Sequence, residues 1–163
     1  MNSLDERGLT LTELALVGAM GFLVMSAIMA FYMNCQNVWT DASSKSITQR
    51  EATGLSEHIT ELVHRSASVF VTTVGATKNC RVQLYYKGQS SPWYTIWWSP
   101  TDSQVHELAT GGTETTNITS VVEKFEFDPC QPCNDFLRMT ELRLRSAGGS
   151  GVSLSTSMAL YNR

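Results

Sequence analysis

The chain has 163 residues, which is enough for one domain and an anchoring segment. Its formal net charge is −3 and it contains no block of basic residues, so its composition does not support a nucleic-acid-binding surface. Charged residues make up 17% of the chain, below the average for globular domains, and part of this deficit lies in one N-terminal run.

That run extends from Leu14 to Met33 without a charged side chain. As a helix it would be roughly 30 Å long, which matches the hydrocarbon core of a bilayer. A cleavable secretory signal would be shorter, with its small-residue cleavage site after the apolar region. Here the small residue, Gly8, comes first. The run therefore predicts a retained transmembrane helix, with the carboxylate of Glu13 at its edge.

The residues around that carboxylate, "GLTLTEL", resemble the processing site of type IV prepilins and type II secretion pseudopilins. The resemblance implies that residues 1–8 are a leader peptide and that prepilin peptidase cuts between Gly8 and Leu9. Leu9 would then be the N-methylated first residue of the mature chain, and Glu13 would be the fifth. The alternative is that Glu13 only meets lipid headgroups at the membrane interface.

The same resemblance gives Glu13 a task in subunit assembly. A carboxylate in lipid is costly, and an ionisable residue there is by default a functional hypothesis. We expect it to pair with the α-amino group of Leu9 on a neighbouring subunit, since two opposite buried charges compensate each other. The implied partners are other pilins or pseudopilins, the peptidase and an inner-membrane assembly platform.

The helix is predicted to continue beyond the membrane as an amphipathic segment over residues 34–68. Apolar residues recur there at spacings of about three and four, which is the period of one helix face. They are Ile47, Leu55, Ile59, Leu62 and Val63. Glu61 and Arg65 are spaced to form an i,i+4 ion pair, and the helix should end near residues 66–68.

Strand-like segments follow at short spacing, separated by Gly, Pro, Asn, Asp and Ser. They are "RVQLYYK", "WYTIWW", "QVHELAT", "SVVEKFEF", "MTELRLRS" and "VSLSTSMALY". In "ELRLR", Leu142 and Leu144 should lie on one face and Arg143 and Arg145 on the other. The predicted fold is therefore α+β and pilin-like, with one long helix packed on a largely antiparallel sheet. The predicted divisions are a leader (1–8), a transmembrane and assembly helix (9–33), its amphipathic continuation (34–68) and a β-rich extracytoplasmic domain (69–163).

The cysteines predict a disulfide in the β-rich domain, since disulfides persist outside the cytoplasm. Cys80, Cys130 and Cys133 are the candidates, and Cys35 lies on the helix. Spacing alone does not decide between a bond within "CQPC" and a bond from that motif to Cys80. A redox centre would need its first cysteine at a helix N-terminus, whereas "CQPC" lies between strand-like segments.

The segment "SPWYTIWWSP" is apolar on both faces if it forms a strand. Alternation places Trp93 and Trp97 on one face and Trp98 on the other, beside Tyr94 and Ile96. One face is expected to be core. The three tryptophans are also candidates for an exposed surface that binds a partner subunit or a ligand.

No constellation for catalysis, cofactor binding or metal binding stands out. His58, Glu61 and His64 fall on neighbouring helical turns, but a solvated polar face is favoured over a metal site. We therefore expect a non-enzymatic minor pilin or pseudopilin, of the J or W type because the C-terminal "TSMALYNR" resembles the closing strand of those subunits. The alternatives are a single-pass anchor for a ligand-binding β domain and, less favoured, a membrane-anchored thiol oxidoreductase using Cys130 and Cys133.

Overall fold

A computed structural model describes residues 10–74, 77–116, 118, 120–130, 132–133, 135–146, 149 and 151–161. One long helix, α1, is followed by eight strands. The elements are α1 (Leu11–Arg65), β1 (Ser68–Val74), β2 (Thr77–Tyr85), β3 (Tyr94–Ser99), β4 (Gln104–Ala109), β5 (Thr115–Thr116), β6 (Val121–Phe127), β7 (Phe136–Arg145) and β8 (Gly151–Ala159). The chain divides into two compact units, with the boundary between Thr40 and Asp41.

The described part of the first unit is helical from Leu11 onward, and every residue from 10 to 40 is exposed. Exposed apolar side chains occur on all sides of this stretch, which a water-soluble surface helix would not show. By length and composition it is a candidate membrane span. The predicted transmembrane helix is confirmed to that extent.

In the second unit, the last part of α1 buries a narrow apolar stripe. The buried residues are Thr48, Ala52, Leu55, Ile59, Leu62 and Val63. Their spacing of three and four matches the predicted stripe except at its start. Ile47 was predicted to be part of it but is 56% exposed, because the neighbouring Thr48 occupies the inward position one residue later. The predicted Glu61–Arg65 ion pair is present.

The strands form two sheets where the sequence predicted one. The first contains five strands in the order β1-β2-β3-β4-β5, and the second contains three in the order β6-β7-β8, all antiparallel. The second sheet was not predicted because period-two alternation identifies a strand but does not show which other strand it pairs with. The two-residue strand β5 gave no alternation to detect.

The alternation in β7 is as predicted. Leu142 and Leu144 are fully buried, whereas Arg143 and Arg145 are exposed. Both sheets contribute to one core, which includes Val82, Leu84 and Ile96 from the first sheet, and Phe125, Phe127, Leu137 and Met139 from the second. The buried stripe of α1 belongs to the same core, so the α+β layout with a long helix packed on antiparallel sheets is confirmed.

Candidate functional site

The predicted cleavage and methylation site, Gly8 and Leu9, lies outside the described residues. The first described residue, Thr10, sits immediately before α1 and serves as its N-cap. The geometry available at this end of the chain is therefore that of Thr10 and Glu13.

Thr10 and Glu13 form a reciprocal capping box. The backbone N–H and the hydroxyl of Thr10 each donate a hydrogen bond of 2.9 Å to Oε2 of Glu13. In return, the backbone N–H of Glu13 lies 3.4 Å from Oγ1 of Thr10. A helix start leaves four backbone N–H groups without helical partners, and this arrangement satisfies some of them. The sequence signature, Thr-x-x-Glu before an apolar run, was present but sequence reasoning overlooked it.

The capping box bears on how an acid can be tolerated at the edge of a membrane. Both hydrogen bonds from Thr10 end on Oε2, so part of the carboxylate's need for donors is met within its own chain. A carboxylate that accepts hydrogen bonds is less costly to place near lipid than a bare one. Glu13 thus has a local structural role in addition to any role between subunits.

Cys130 and Cys133 are joined by a disulfide, and Cys80 and Cys35 are free thiols. The bond lies in the loop between β6 and β7 rather than at a helix N-terminus. Its loop pairs with the edge of β1. The amides of Val69 and Val71 donate to the carbonyl oxygens of Cys133 and Cys130, at 3.2 and 3.1 Å, and the Cys133 amide donates to the Val69 carbonyl oxygen. The loop that the disulfide closes is therefore hydrogen-bonded through its backbone to a strand of the other sheet.

Cys80, one of the three candidates for the disulfide, is fully buried on β2. Burial raises the pKa of its thiol, and nearby backbone hydrogen bonds only partly offset that effect. Thiolate is the reactive form of cysteine, so a raised pKa and a buried position make this side chain inert.

The three tryptophans do not form one surface. The predicted alternation fails at Trp93, because β3 begins only at Tyr94 and Trp93 packs against the core. Its indole N–H donates to Oγ of Ser66, at 3.3 Å, just after α1 ends. Trp98 also packs on the core, and its indole N–H donates to the carbonyl oxygen of Val122 at 3.1 Å. Of the three tryptophans, only Trp97 lies on the face of β3 opposite to the core.

Trp97 is itself covered by neighbours from the adjacent strands. The His106 ring stacks beside it with centroids 5.4 Å apart, and the Arg81 guanidinium lies 6.0 Å from its centroid. The His106 ring nitrogens contact carboxylate oxygens of Asp102 and Glu114 at 2.8 and 2.6 Å. Because His106 and Arg81 lie beside the indole, Trp97 is only partly exposed.

His58, Glu61 and His64, which the sequence placed on neighbouring turns of α1, each contact a different partner. His58 lies 3.1 Å from Oε2 of the buried Glu107, Glu61 pairs with Arg65, and the His64 ring packs on Tyr161. Among the described residues, no group of three or more His, Cys, Asp or Glu is placed to hold a metal ion.

Glu107 is a buried acidic residue in the core, and sequence reasoning did not identify it. This carboxylate is 1% exposed and accepts a 2.8 Å hydrogen bond from the Tyr94 hydroxyl, in addition to its contact with His58. Burial, and then the hydrogen bond to Glu107, raise the pKa of Tyr94. The cluster joins α1 to β3 and β4, which is a structural role for a buried charge.

The structure thus defines an α+β protein with a candidate membrane span near its N-terminus. Comparison with protein-family models, with curated proteins and with solved structures found no match. The function is therefore inferred from this chain's own residues.

Proposed function

We propose that the protein is a minor pilin or pseudopilin, a non-enzymatic structural subunit of a type IV pilus or a type II secretion pseudopilus. Prepilin peptidase cuts it between Gly8 and Leu9, and Leu9 is then N-methylated. The mature chain is held in a bacterial inner membrane by α1 with its C-terminal domain outside the cytoplasm, and it then joins an extracytoplasmic filament with other pilin-like subunits.

One observation carries the proposal. Glu13 stands five residues after Gly8 and directly before an uncharged run that is helical and exposed along its whole length. An apolar helix that is exposed within the described part of the chain must be covered by lipid or by other helices. A pilin-like subunit uses both in turn, first the membrane and then the bundle of helices in the filament.

Glu13 aligns each subunit with its neighbour through one charge pair. Its Oε2 is engaged by Thr10 of its own chain, so Oε1 is the oxygen we assign to the Leu9 amine of a neighbouring subunit. An α-amino group titrates near pH 8 and is mostly protonated at neutral pH. The pair forms in a low-dielectric bundle, where each charge offsets the cost of burying the other.

The test is copurification of the Glu13→Gln variant with its pilin partners after normal processing. Glutamine can still accept the hydrogen bonds of a capping box, so the start of α1 is preserved while the charge is removed. Loss of one partner from a buried pair costs on the order of 3 to 5 kcal/mol, so incorporation should fall sharply while the mature protein still appears in the membrane. Copurification at the wild-type yield would refute the registration role.

The structure offers less support for the alternatives. A ligand-binding β domain was suggested by the tryptophans, but Trp93 and Trp98 pack on the core and Trp97 packs beside His106 and Arg81. A thiol oxidoreductase would use Cys130 and Cys133, yet Cys133 is 6% exposed and its backbone is paired with β1. Trp97 and Cys130 are only partly exposed, so each alternative has one partly accessible side chain and no formed site around it.

A further inference from the structure

Two antiparallel sheets have four edges, and three of the four edge strands here are short or covered. The edge of β1 is paired with the Cys130–Cys133 loop. At the other edge of that sheet, β5 is only two residues long. On β6, the amide of Val122 donates to the Ser103 carbonyl oxygen at 2.9 Å, and its carbonyl oxygen accepts the indole N–H of Trp98.

The fourth edge strand, β8, has none of these protections. Within the described residues, it pairs with β7 alone. It is nine residues long and contains neither a charged residue nor a proline, and the one register shift in its ladder lies on β7, between Met139 and Leu142. Exposed edges normally carry lysine, proline or a bulge that prevents pairing with another chain. A long, uncharged edge is therefore a ready template for an additional strand.

The two faces of β8 define what kind of strand would fit. On the inner face, Val152 and Leu154 are only half-buried although they pack against the core. An added strand with apolar side chains at alternate positions would cover them, since neighbouring strands in a sheet lie about 4.8 Å apart.

On the outer face of this sheet, the side chains of β8 are small and those of β7 include three arginines. Gly151, Ser153 and Ser157 of β8 are paired with Arg145, Arg143 and Arg138 of β7, respectively. The Arg143 side chain lies over β8, with Nε 3.3 Å from the point where a side chain on Gly151 would begin. The carboxylate partners of the three arginines lie on β6 and just after it, across β7 from β8. The small side chains of β8 leave the space between the arginines and the free edge unfilled.

Among the described residues, the charges of these arginines are only partly matched. Arg143 and Arg145 share one carboxylate, that of Glu123, and Arg138 lies 3.9 Å from Asp128. The outer face beside β8 therefore favours acidic side chains on an incoming strand, which would lie about 10 Å from β7, two strand spacings away.

We propose that the free edge of β8 binds an extended segment of a partner protein by β-strand addition, and that this segment alternates apolar with acidic residues. The apolar residues extend the inner face at Val152 and Leu154, and the acidic residues face the arginine row. A symmetric β8–β8 pair with a second copy of this chain does not fit, because the β8 strand has no acidic residue to offer. The proposal does not depend on the pilin assignment.

The test uses three labelled nine-residue peptides and the full chain in detergent. One alternates valine with glutamate, one alternates valine with lysine, and the third is the glutamate peptide with alternate backbone nitrogens methylated. The glutamate peptide should bind at least about tenfold more tightly than the lysine peptide, because several surface charge pairs act together. The methylated peptide should not bind, because it lacks half of the N–H donors that a strand needs.

Two variants locate the site. In a Cys35→Ser background, Ser155→Cys should form a disulfide with a glutamate peptide that carries a central cysteine, whereas Thr140→Cys on the interior strand β7 should not. Arg138→Gln should weaken binding about two- to fivefold, and Arg50→Gln on α1 should leave it unchanged. Equal binding of the three peptides, no binding at all, or Ser155→Cys crosslinking to another copy of the chain would each overturn the proposal.

Discussion

Thr10 and Glu13 cap the start of α1 for each other, with both hydrogen bonds from Thr10 ending on one oxygen of the carboxylate. The acid that we propose as an assembly residue therefore also caps its own helix. Substitutions at the two positions should therefore separate the two roles.

Replacing Thr10 with alanine should loosen the first turn of α1 without affecting the rest of the helix. Loss of an N-cap side chain costs about 1 kcal/mol, and the effect is confined to the first turn. Hydrogen exchange of the full chain in detergent should show faster exchange at residues 11–14 and no change near Met25. Thr10→Ser is the matched control, because serine caps equally well; unchanged exchange in the alanine variant would show that the box is not formed in solution.

Replacing Tyr94 with phenylalanine should destabilise the β-rich unit by about 1.5 to 3 kcal/mol, since it removes a hydrogen bond to a buried carboxylate. Tyr86→Phe is a suitable control because Tyr86 is exposed, although its ring also stacks on a tryptophan. Chemical denaturation of both variants measures the difference. Equal loss in the two would mean that the Tyr94 hydroxyl contributes nothing.

The same contact predicts a dependence of stability on pH in the alkaline range. The pKa of Tyr94 is raised by burial and by Glu107, so the folded state favours its protonated form. That contribution is complete below the unfolded pKa of about 10 and decreases as the pH rises above it. An ultraviolet titration should therefore contain a late step, above the ordinary range of tyrosine, that belongs to Tyr94. Tyr94→Phe should abolish the late step, and a wild-type titration with no late step would contradict this assignment.

Peptide mapping without reductant should find the Cys130–Cys133 bond and no bond to Cys80. Replacing both bonded cysteines with serine should cost about 2 kcal/mol, the value expected for so short a loop. The amides of Val69 and Val71 should then exchange faster, because their acceptors lie in that loop, whereas Leu142 in β7 should be unaffected. A bond from Cys80 to either partner would contradict the structure.

Alkylation of the native protein should distinguish the two free thiols. Cys35 is exposed, and Cys80 is buried with a raised pKa. Iodoacetamide should therefore modify Cys35 readily in detergent and should modify Cys80 only after denaturation. Rapid labelling of Cys80 in the folded chain would show that β2 opens at low cost.

Sequence reasoning succeeded where the local pattern of apolar and charged residues decides the structure. Leu142 and Leu144 alternate with arginines, so the inward face of β7 was evident. The uncharged run after Glu13 similarly identified the candidate span. Both signals are local, and neither needs knowledge of a distant residue.

Features that depend on distant partners were not predictable in the same way. Glu107 lies in an ordinary polar and apolar alternation, and its burial follows from Tyr94 on β3 and His58 on α1, which only the fold brings together. Trp93 was assigned to the wrong face because the start of β3 is set by pairing with β2 and β4. The division into two sheets is likewise set by which distant strands pair, and local alternation does not show this.

The identity of the mature N-terminus tests the central proposal most directly. N-terminal sequencing and mass analysis of the membrane-bound protein should find a methylated Leu9, and a bulky residue in place of Gly8 should leave the uncut precursor. Gly8→Ala is the milder control, since it adds only a methyl group at the cut. A wild-type protein that begins at Met1, or one cut beyond Met33, would contradict the pilin assignment.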